Sequence, residues 1–161
     1  MQRPDAGNQL EKHAARIHRG LEFDDAFRQF YELGEGLKEP IQITFVDQFD
    51  QAEAGIDGGG VTKEFLTSVT STAFTPAKQG IDMFIENDQH LLYPNPTAME
   101  EFKEALRSQI GLRDDSVEFR TEVAGSLQRY EFLGRIIGKC MYEGKNPPSL
   151  VPYAKALLTL L

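Results

Sequence analysis

The glycine-rich segment Gly58–Gly60 is a candidate for a loop that binds phosphate. Loops of the Gly-x-x-x-x-Gly-Lys-Ser/Thr type need a lysine directly after the last glycine, because that lysine reaches the phosphates. Here the dipeptide Val-Thr separates Gly60 from Lys63. The dinucleotide-binding pattern fails as well, since Lys63 stands where its last glycine is required. The segment instead predicts a tight turn between a strand and a helix.

Four carboxylates lie in the same region, at Asp47, Asp50, Glu53 and Asp57. A helix–loop–helix calcium site needs acidic oxygens at its first, third and fifth positions and a glutamate at its twelfth. The spacings of three, three and four residues in this chain do not supply that arrangement. The pattern is typical of an acidic loop that faces solvent.

Nucleophilic and metal chemistry find little support in the other residue types. Gly125-Ser126 lacks the glycine that stands two residues after the serine in the hydrolase turn. The histidines His13, His18 and His90 are scattered, and we interpret them as surface or half-buried side chains. The sequence therefore predicts no metal site and no cofactor.

Cys140 is the only cysteine, which excludes an internal disulfide and a thiolate metal site and fits a reducing compartment. It follows Leu133 and Ile137 on the apolar stripe of a predicted helix. A buried thiol in such a position behaves as a small hydrophobic side chain with a raised pKa. We interpret Cys140 as structural, and the residues alone indicate a scaffold without a reaction centre.

Apolar residues at helical spacing predict four helical stretches. The first begins near Leu10 and continues through Phe30, with a phase shift after Gly20. The other three run from Val61 to before Pro76, from Asn95-Pro96 to a stop at Gly111, and from Val117 to Tyr142.

Strand patterns are fewer and shorter. Ile41–Val46 alternates and then becomes wholly apolar, which predicts a strand that enters a core. Ile81–Ile85 and Leu91–Tyr93 predict a hairpin across Glu86 to His90. Together with the helices, these elements predict an α+β fold that is mainly α.

Composition and charge exclude several classes of function. The chain has 161 residues, of which 40% are hydrophobic and 26% charged, and its net charge is −8. A phosphate backbone would be repelled by such a surface, and no basic patch is present, so we expect no nucleic-acid partner. No apolar run approaches the length of a membrane span. The polar start, Met1 to Gly7, lacks a secretory signal, which indicates an intracellular protein of the cytoplasm, the nucleus or both.

Five segments of the chain match a known family in the same order: Asp24–Gln29, Ile43–Asp47, Glu53–Phe65, Leu91–Pro96 and Tyr130–Gly144. These motifs resemble the opening of the HECT domain of ubiquitin ligases. The details are most similar to the branch that contains the fungal proteasome-associated ligases.

The resemblance implies an acyl transfer that this chain cannot complete. HECT ligases accept ubiquitin from a conjugating enzyme onto their own cysteine as a thioester and then pass it to a substrate lysine, which is covalent nucleophilic catalysis. The catalytic cysteine and the subdomain that docks the conjugating enzyme lie beyond the segment matched here. The implied partners of the parent are ubiquitin, the conjugating enzyme and the proteasome, and Cys140 aligns with a helix position rather than with the nucleophile.

The same resemblance divides the chain into three parts and assigns some structural residues. Residues 1–40 form a helical lead-in, 41–144 an incomplete large subdomain of the HECT N-lobe, and 145–161 a divergent apolar tail with prolines. The residues interpreted as structural, in the turn and on the late helix, are Gly55, Asp57, Gly58, Gly59, Gly60, Gly134 and Gly138. The glycine pair on the helix would permit close packing of a neighbour.

The departure from the family pattern after Gly144 predicts a truncated or mis-spliced product, or a gene model that reads into non-coding sequence. Such a fragment is expected to be inactive alone and marginally stable. The alternative is a natural short form that acts as a non-enzymatic interaction module, which binds ubiquitin or a full-length ligase.

Overall fold

A parallel strand pair forms one side of the structure, a computed structural model that describes residues 13–54, 60–75 and 81–144. Strand β1 (His13–His18) pairs with β2 (Ile41–Val46) in a register that aligns His13 with Ile41. Parallel strands need a crossover connection. Here the connection consists of helix α1 (Glu22–Phe30) and a 3₁₀ segment, Tyr31–Lys38.

The helix predicted from Leu10 onward is wrong in its first described part, because His13–His18 is a strand. Ala15 and Ile17 are buried and alternate with exposed residues, which is the period of a strand. Six residues fit both a helical and an alternating pattern, and pairing with β2 decides between them. Among the described residues of the 1–40 lead-in, helix therefore begins only at Glu22.

Helix α2 (Gly60–Phe74) follows the predicted strand β2 and confirms the helix expected from Val61. Its threonines are accommodated because their hydroxyls donate to carbonyls one turn back, as Thr70 Oγ1 does to the Leu66 oxygen at 2.9 Å. The buried face carries Phe65, Leu66 and Val69 into the core.

The predicted hairpin is also confirmed. Strands β3 (Phe84–Glu86) and β4 (Leu92–Pro94) pair in antiparallel fashion. The Asn87 side chain accepts hydrogen bonds from the backbone N–H groups of Gln89 and Leu91, at 2.9 and 3.0 Å, and so shapes the connecting turn.

Helix α3 (Ala98–Ala105) continues into a π-helical turn, Leu106–Ile110, and ends at Gly111. The helix begins later than Asn95-Pro96 predicts, because the Asn95 carboxamide accepts from the Thr97 N–H at 3.1 Å and forms a turn before the helix. Gly111 is left-handed with φ of 76°, and it ends the helix as predicted.

The long helix α4 (Val117–Tyr142) has the predicted bounds. Ser116 caps it by accepting from the Phe119 N–H at 3.1 Å. Phe132, fully buried, packs its ring 5.9 Å from that of Phe23 and 5.7 Å from that of Phe27, so α4 joins α1 through aromatic contacts. The predicted α+β, mainly α class is confirmed.

No helix within the described ranges has both the length and the apolar character needed to cross a membrane.

Phe132→Ala is expected to lower the free energy of unfolding by about 3–5 kcal/mol, because it leaves a cavity between α1 and α4. Leu127→Ala, at an α4 side chain that is 57% exposed, serves as the matched control and should change stability by about 0.5 kcal/mol or less. Urea unfolding followed by circular dichroism measures both. Equal losses in the two variants would contradict this placement of Phe132.

Candidate functional site

The carboxyl ends of β1 and β2 lie at the same edge of the pair, and charged side chains concentrate there. We call this set the carboxyl-edge cluster. Its members are Arg16, His18 and Arg19 from β1 and the turn after it, Asp50 and Glu53 after β2, and Glu64 of α2.

Arg19 is the centre of the carboxyl-edge cluster. Its Nε and Nη2 donate to the two carboxylate oxygens of Glu53 at 2.9 and 2.7 Å, and its Nη1 donates to Glu64 Oε1 at 2.7 Å. The guanidinium also lies 3.7 Å from the centroid of the Phe45 ring. This combines a bidentate pair with a cation–π contact, which fixes the side chain in one orientation.

The two carboxylates held by Arg19 flank the glycine-rich segment. Glu53 precedes residues 55–59 and Glu64 lies in the first turns of α2. Hydrogen bonds to Arg19 hold the pKa of Glu53 below its usual range, and the pair with Glu53 contributes most to the raised pKa of Arg19. Arg19 therefore links a residue before this segment and a residue after it to the end of β1.

The turn after β2 is held by its own carboxylates. Asp47 Oδ1 accepts from the N–H groups of Phe49 and Gln51 at 2.8 and 3.0 Å. Asp50 adopts a left-handed conformation with φ of 59°, and Arg16 Nη2 donates to its carbonyl oxygen at 2.7 Å and to its carboxylate at 3.1 Å. The acidic loop predicted here is thus a folded turn with Phe49, 71% exposed, at its tip.

Asp25 is a buried carboxylate, 1% exposed, at the start of α1. Its Oδ2 accepts from the His18 backbone N–H at 2.8 Å and lies 2.8 Å from His18 Nδ1, while Arg28 Nη1 lies 3.3 Å from its other oxygen. A buried charge needs such partners. The contact fixes the end of β1 against the first turns of α1.

The glycines interpreted as structural fall partly outside the described residues. Gly55, Asp57, Gly58 and Gly59 lie there, and Gly60 is the first residue of α2. Gly134 and Gly138 are exposed on α4, and a Cβ added at either would meet nothing within 4 Å among the described residues. Close packing of a neighbour at this pair stays a prediction.

Cys140 lies fully buried on α4. Burial raises the pKa of its thiol to about 11, and the nearby Glu143 carboxylate adds to the effect. The thiol is therefore protonated at neutral pH and has no path to a large electrophile in this arrangement.

The three histidines do not form a metal centre. Within 13–54, 60–75 and 81–144, no group of three or more histidine, cysteine, aspartate or glutamate side chains could hold an ion. His18 pairs with Asp25, and His90, 89% exposed, pairs with Glu86 at 2.5 Å.

Lys139 is a structural residue that sequence reasoning missed. It is 3% exposed, and its Nζ donates to the carbonyl oxygens of Leu37 and Glu39 at 2.9 and 3.0 Å and pairs with Glu143 at 2.6 Å. The ammonium therefore holds α4 against the end of the crossover. Arg19 was missed as well, because its position matters only once β1 is known to be a strand.

Sequence relatives of the chain are ubiquitin ligases, although no protein-family model matches it. It is 46% identical over 133 residues to a probable E3 ubiquitin protein ligase of Schizosaccharomyces pombe, which covers 83% of the chain and 10% of the relative. It is 36% identical to the E3 ubiquitin-protein ligase HUL5 of Saccharomyces cerevisiae, over 87% of the chain and 12% of the relative. With human ubiquitin-protein ligase E3B the identity is 30%, over 90% of the chain and 11% of the relative.

These matches show that the chain is a homologue of E3 ubiquitin ligases, and they confirm the resemblance at that level. The chain spans about a tenth of the length of the curated relatives it matches.

Glu53→Gln is expected to flatten the acid side of the stability profile. The pKa of Glu53 is lowered in the folded state, so its contribution is present above the unfolded pKa and is lost as pH falls through the folded value. Urea midpoints between about pH 6 and pH 3 measure this, with the exposed Glu122→Gln as control. An unchanged profile in Glu53→Gln would show that the Arg19 pair does not hold in solution.

Proposed function

We propose that the chain is part of the N-lobe of a HECT-type ubiquitin ligase. The parent accepts ubiquitin from a conjugating enzyme as a cysteine thioester and transfers it to substrate lysines. The observation that carries the proposal is the 46% identity over 133 residues to an E3 ubiquitin ligase. The thioester mechanism is supported by the ordered motifs that resemble the HECT domain.

Covalent transfer requires an accessible thiolate, and the properties of Cys140 argue against that role for it. Its side chain is fully buried and its thiol pKa is raised to about 11. We assign Cys140 to core packing and place the nucleophile of the parent outside this chain. The isolated chain is then inactive as a ligase.

The contribution of this chain to the parent is a rigid framework. Residues from the proposed lead-in, 1–40, and from the proposed partial N-lobe, 41–144, share one core, since Ile17 and Phe23 lie in the same cluster as Phe65 and Phe132. In the framework, Arg19 pairs with Glu53 and Glu64, which lie on either side of residues 55–59 in the sequence. The tail, 145–161, is the divergent third part.

The remaining functional assignments rest on the same relationship. The partners of the parent are ubiquitin, a conjugating enzyme and the proteasome, in the cytoplasm, the nucleus or both. The net charge of −8 supports protein partners over nucleic acid.

A chimera tests the proposed function directly. The matching segment of HUL5 is replaced by residues 13–144 of this chain, and ubiquitin thioester formation is followed on a non-reducing gel with activating enzyme, conjugating enzyme and ATP. We expect the chimera to form the thioester, because the framework is homologous. The same chimera with Phe132→Ala should lose it. A folded chimera that binds the conjugating enzyme but forms no thioester would contradict the proposal.

The isolated 161-residue chain should give no reducible ubiquitin adduct under the same conditions, while the thioester of the conjugating enzyme is visible in the same lane. The physical reason is the buried, protonated state of its only thiol. An adduct on this chain that disappears in Cys140→Ser would assign the nucleophile to Cys140 and overturn the structural role.

A further inference from the structure

The side of β1 that faces away from β2 is paired with side chains of α1. The N–H groups of His13 and Arg19 donate to carbonyls on the β2 side, both at 3.2 Å. Backbone groups alternate between the two sides along a strand of a parallel pair. Those of Ala14, Arg16 and His18 therefore face the other side, which we call the outer edge of β1.

Gln29 of α1 pairs with the outer edge of β1 as a residue of a neighbouring strand would. Its Oε1 accepts from the Arg16 N–H at 3.1 Å, and its Nε2 donates to the Arg16 carbonyl oxygen at 2.6 Å. A carboxamide offers the same kinds of donor and acceptor as a peptide group. The Gln29 side chain therefore supplies both hydrogen bonds that a third strand would make to Arg16.

Asp25 pairs with the next outward group along the same edge. Its Oδ2 accepts from the His18 N–H at 2.8 Å. Asp25 and Gln29 are about 6 Å apart along α1, and Arg16 and His18 are about 6.6 Å apart along β1. Because these two spacings agree, α1 follows the strand in the opposite direction and pairs with it in register.

Without these partners, the outer edge of β1 would be a template for another strand. Unpaired N–H and C=O groups on an edge strand recruit a second chain. A second copy of this chain fits, because antiparallel pairing about a two-fold axis through Ala15 places Arg16 of each copy opposite Ala14 of the other. Ala14 is exposed, small and uncharged, so the arginines of the two copies do not face each other.

We propose that the outer edge of β1 is a strand-addition site for a second copy of this chain, and that Gln29 and Asp25 keep it closed. The second copy adds only when α1 moves off the edge. The apparent dissociation constant of the dimer is therefore inversely proportional to the fraction of chains in which the edge is open. This self-association is independent of the proposed ligase function.

Sedimentation velocity of the full 161-residue chain over a range of concentrations tests the proposal. Gln29→Ala removes both hydrogen bonds to Arg16 and keeps a good helix former in α1. We expect its dimer dissociation constant to fall about tenfold below the wild-type value, because losing two hydrogen bonds raises the open fraction by about that factor. Gln42→Ala, at an exposed position of β2, is the matched control and should leave the constant unchanged.

Two further measurements locate the contact. Arg16→Pro in the Gln29→Ala background removes an outward N–H and leaves the N–H groups that face β2 intact, so it should return the chain to wild-type association. A nitroxide on Ala14→Cys should show dipolar broadening in the Gln29→Ala background, since the labels of two copies would be diagonal neighbours about 7–8 Å apart. A nitroxide on Leu127→Cys should show none, and the native Cys140 is buried and stays unlabelled in the folded chain.

An unchanged dissociation constant in Gln29→Ala would overturn the proposal, as would an equal decrease in Gln42→Ala. Association of Gln29→Ala without broadening at position 14 would assign the contact to another surface and would also overturn it. The same holds for association that persists in a folded chain with Arg16→Pro. If circular dichroism shows that Arg16→Pro prevents folding, the nitroxide measurement decides between the outcomes.

Discussion

The parallel pairing of β1 with β2 is the constraint on which the rest of the structure depends. Parallel strands cannot be joined by a tight turn, so α1 and the 3₁₀ segment must cross from one end of the pair to the other. The same pairing makes both strands end at one edge. That edge is where Arg19 meets Glu53 and Glu64, and the crossover is what brings the aromatic side of α1 onto Phe132 of α4.

Each end of the crossover is fixed by a buried charged side chain that forms hydrogen bonds with backbone groups. At its start, the Asp25 carboxylate accepts from the His18 N–H, and near its finish the Lys139 ammonium donates to the carbonyls of Leu37 and Glu39. Removing such charges from water costs several kcal/mol, which the hydrogen bonds and counter-charges offset. Hydrophobic packing alone would allow the crossover to shift relative to the elements around it, whereas these hydrogen bonds specify one position of the crossover. We infer that they define the register of the crossover more than they add to stability.

The sequence predicted an element correctly where the pattern of apolar residues within that element was sufficient to identify it. Helix α4 has 26 residues and a serine cap, so its bounds could be read from local sequence. Strand β1 has six residues that fit both a helical and an alternating pattern, and the pairing that decides between them is with β2, beyond the whole crossover. The roles of Arg19 and Lys139 could not be predicted for the same reason. The groups of other elements that each side chain contacts are distant in sequence and become adjacent only after folding.

The contacts of three charged side chains indicate that the described part of the chain has a structural role. Arg19 and Lys139 pair with carboxylates, and Lys139 also donates to backbone carbonyls, while Asp25 accepts from a backbone N–H and pairs with His18 and Arg28. These contacts hold elements together. A group used in chemistry must instead remain available to a substrate, which conflicts with such saturation. The single thiol follows the same logic, because burial both raises its pKa and blocks approach. In the ligase that we propose as parent, precise positioning is therefore the contribution of this segment, and reactivity belongs to a part of the protein whose groups are free to react.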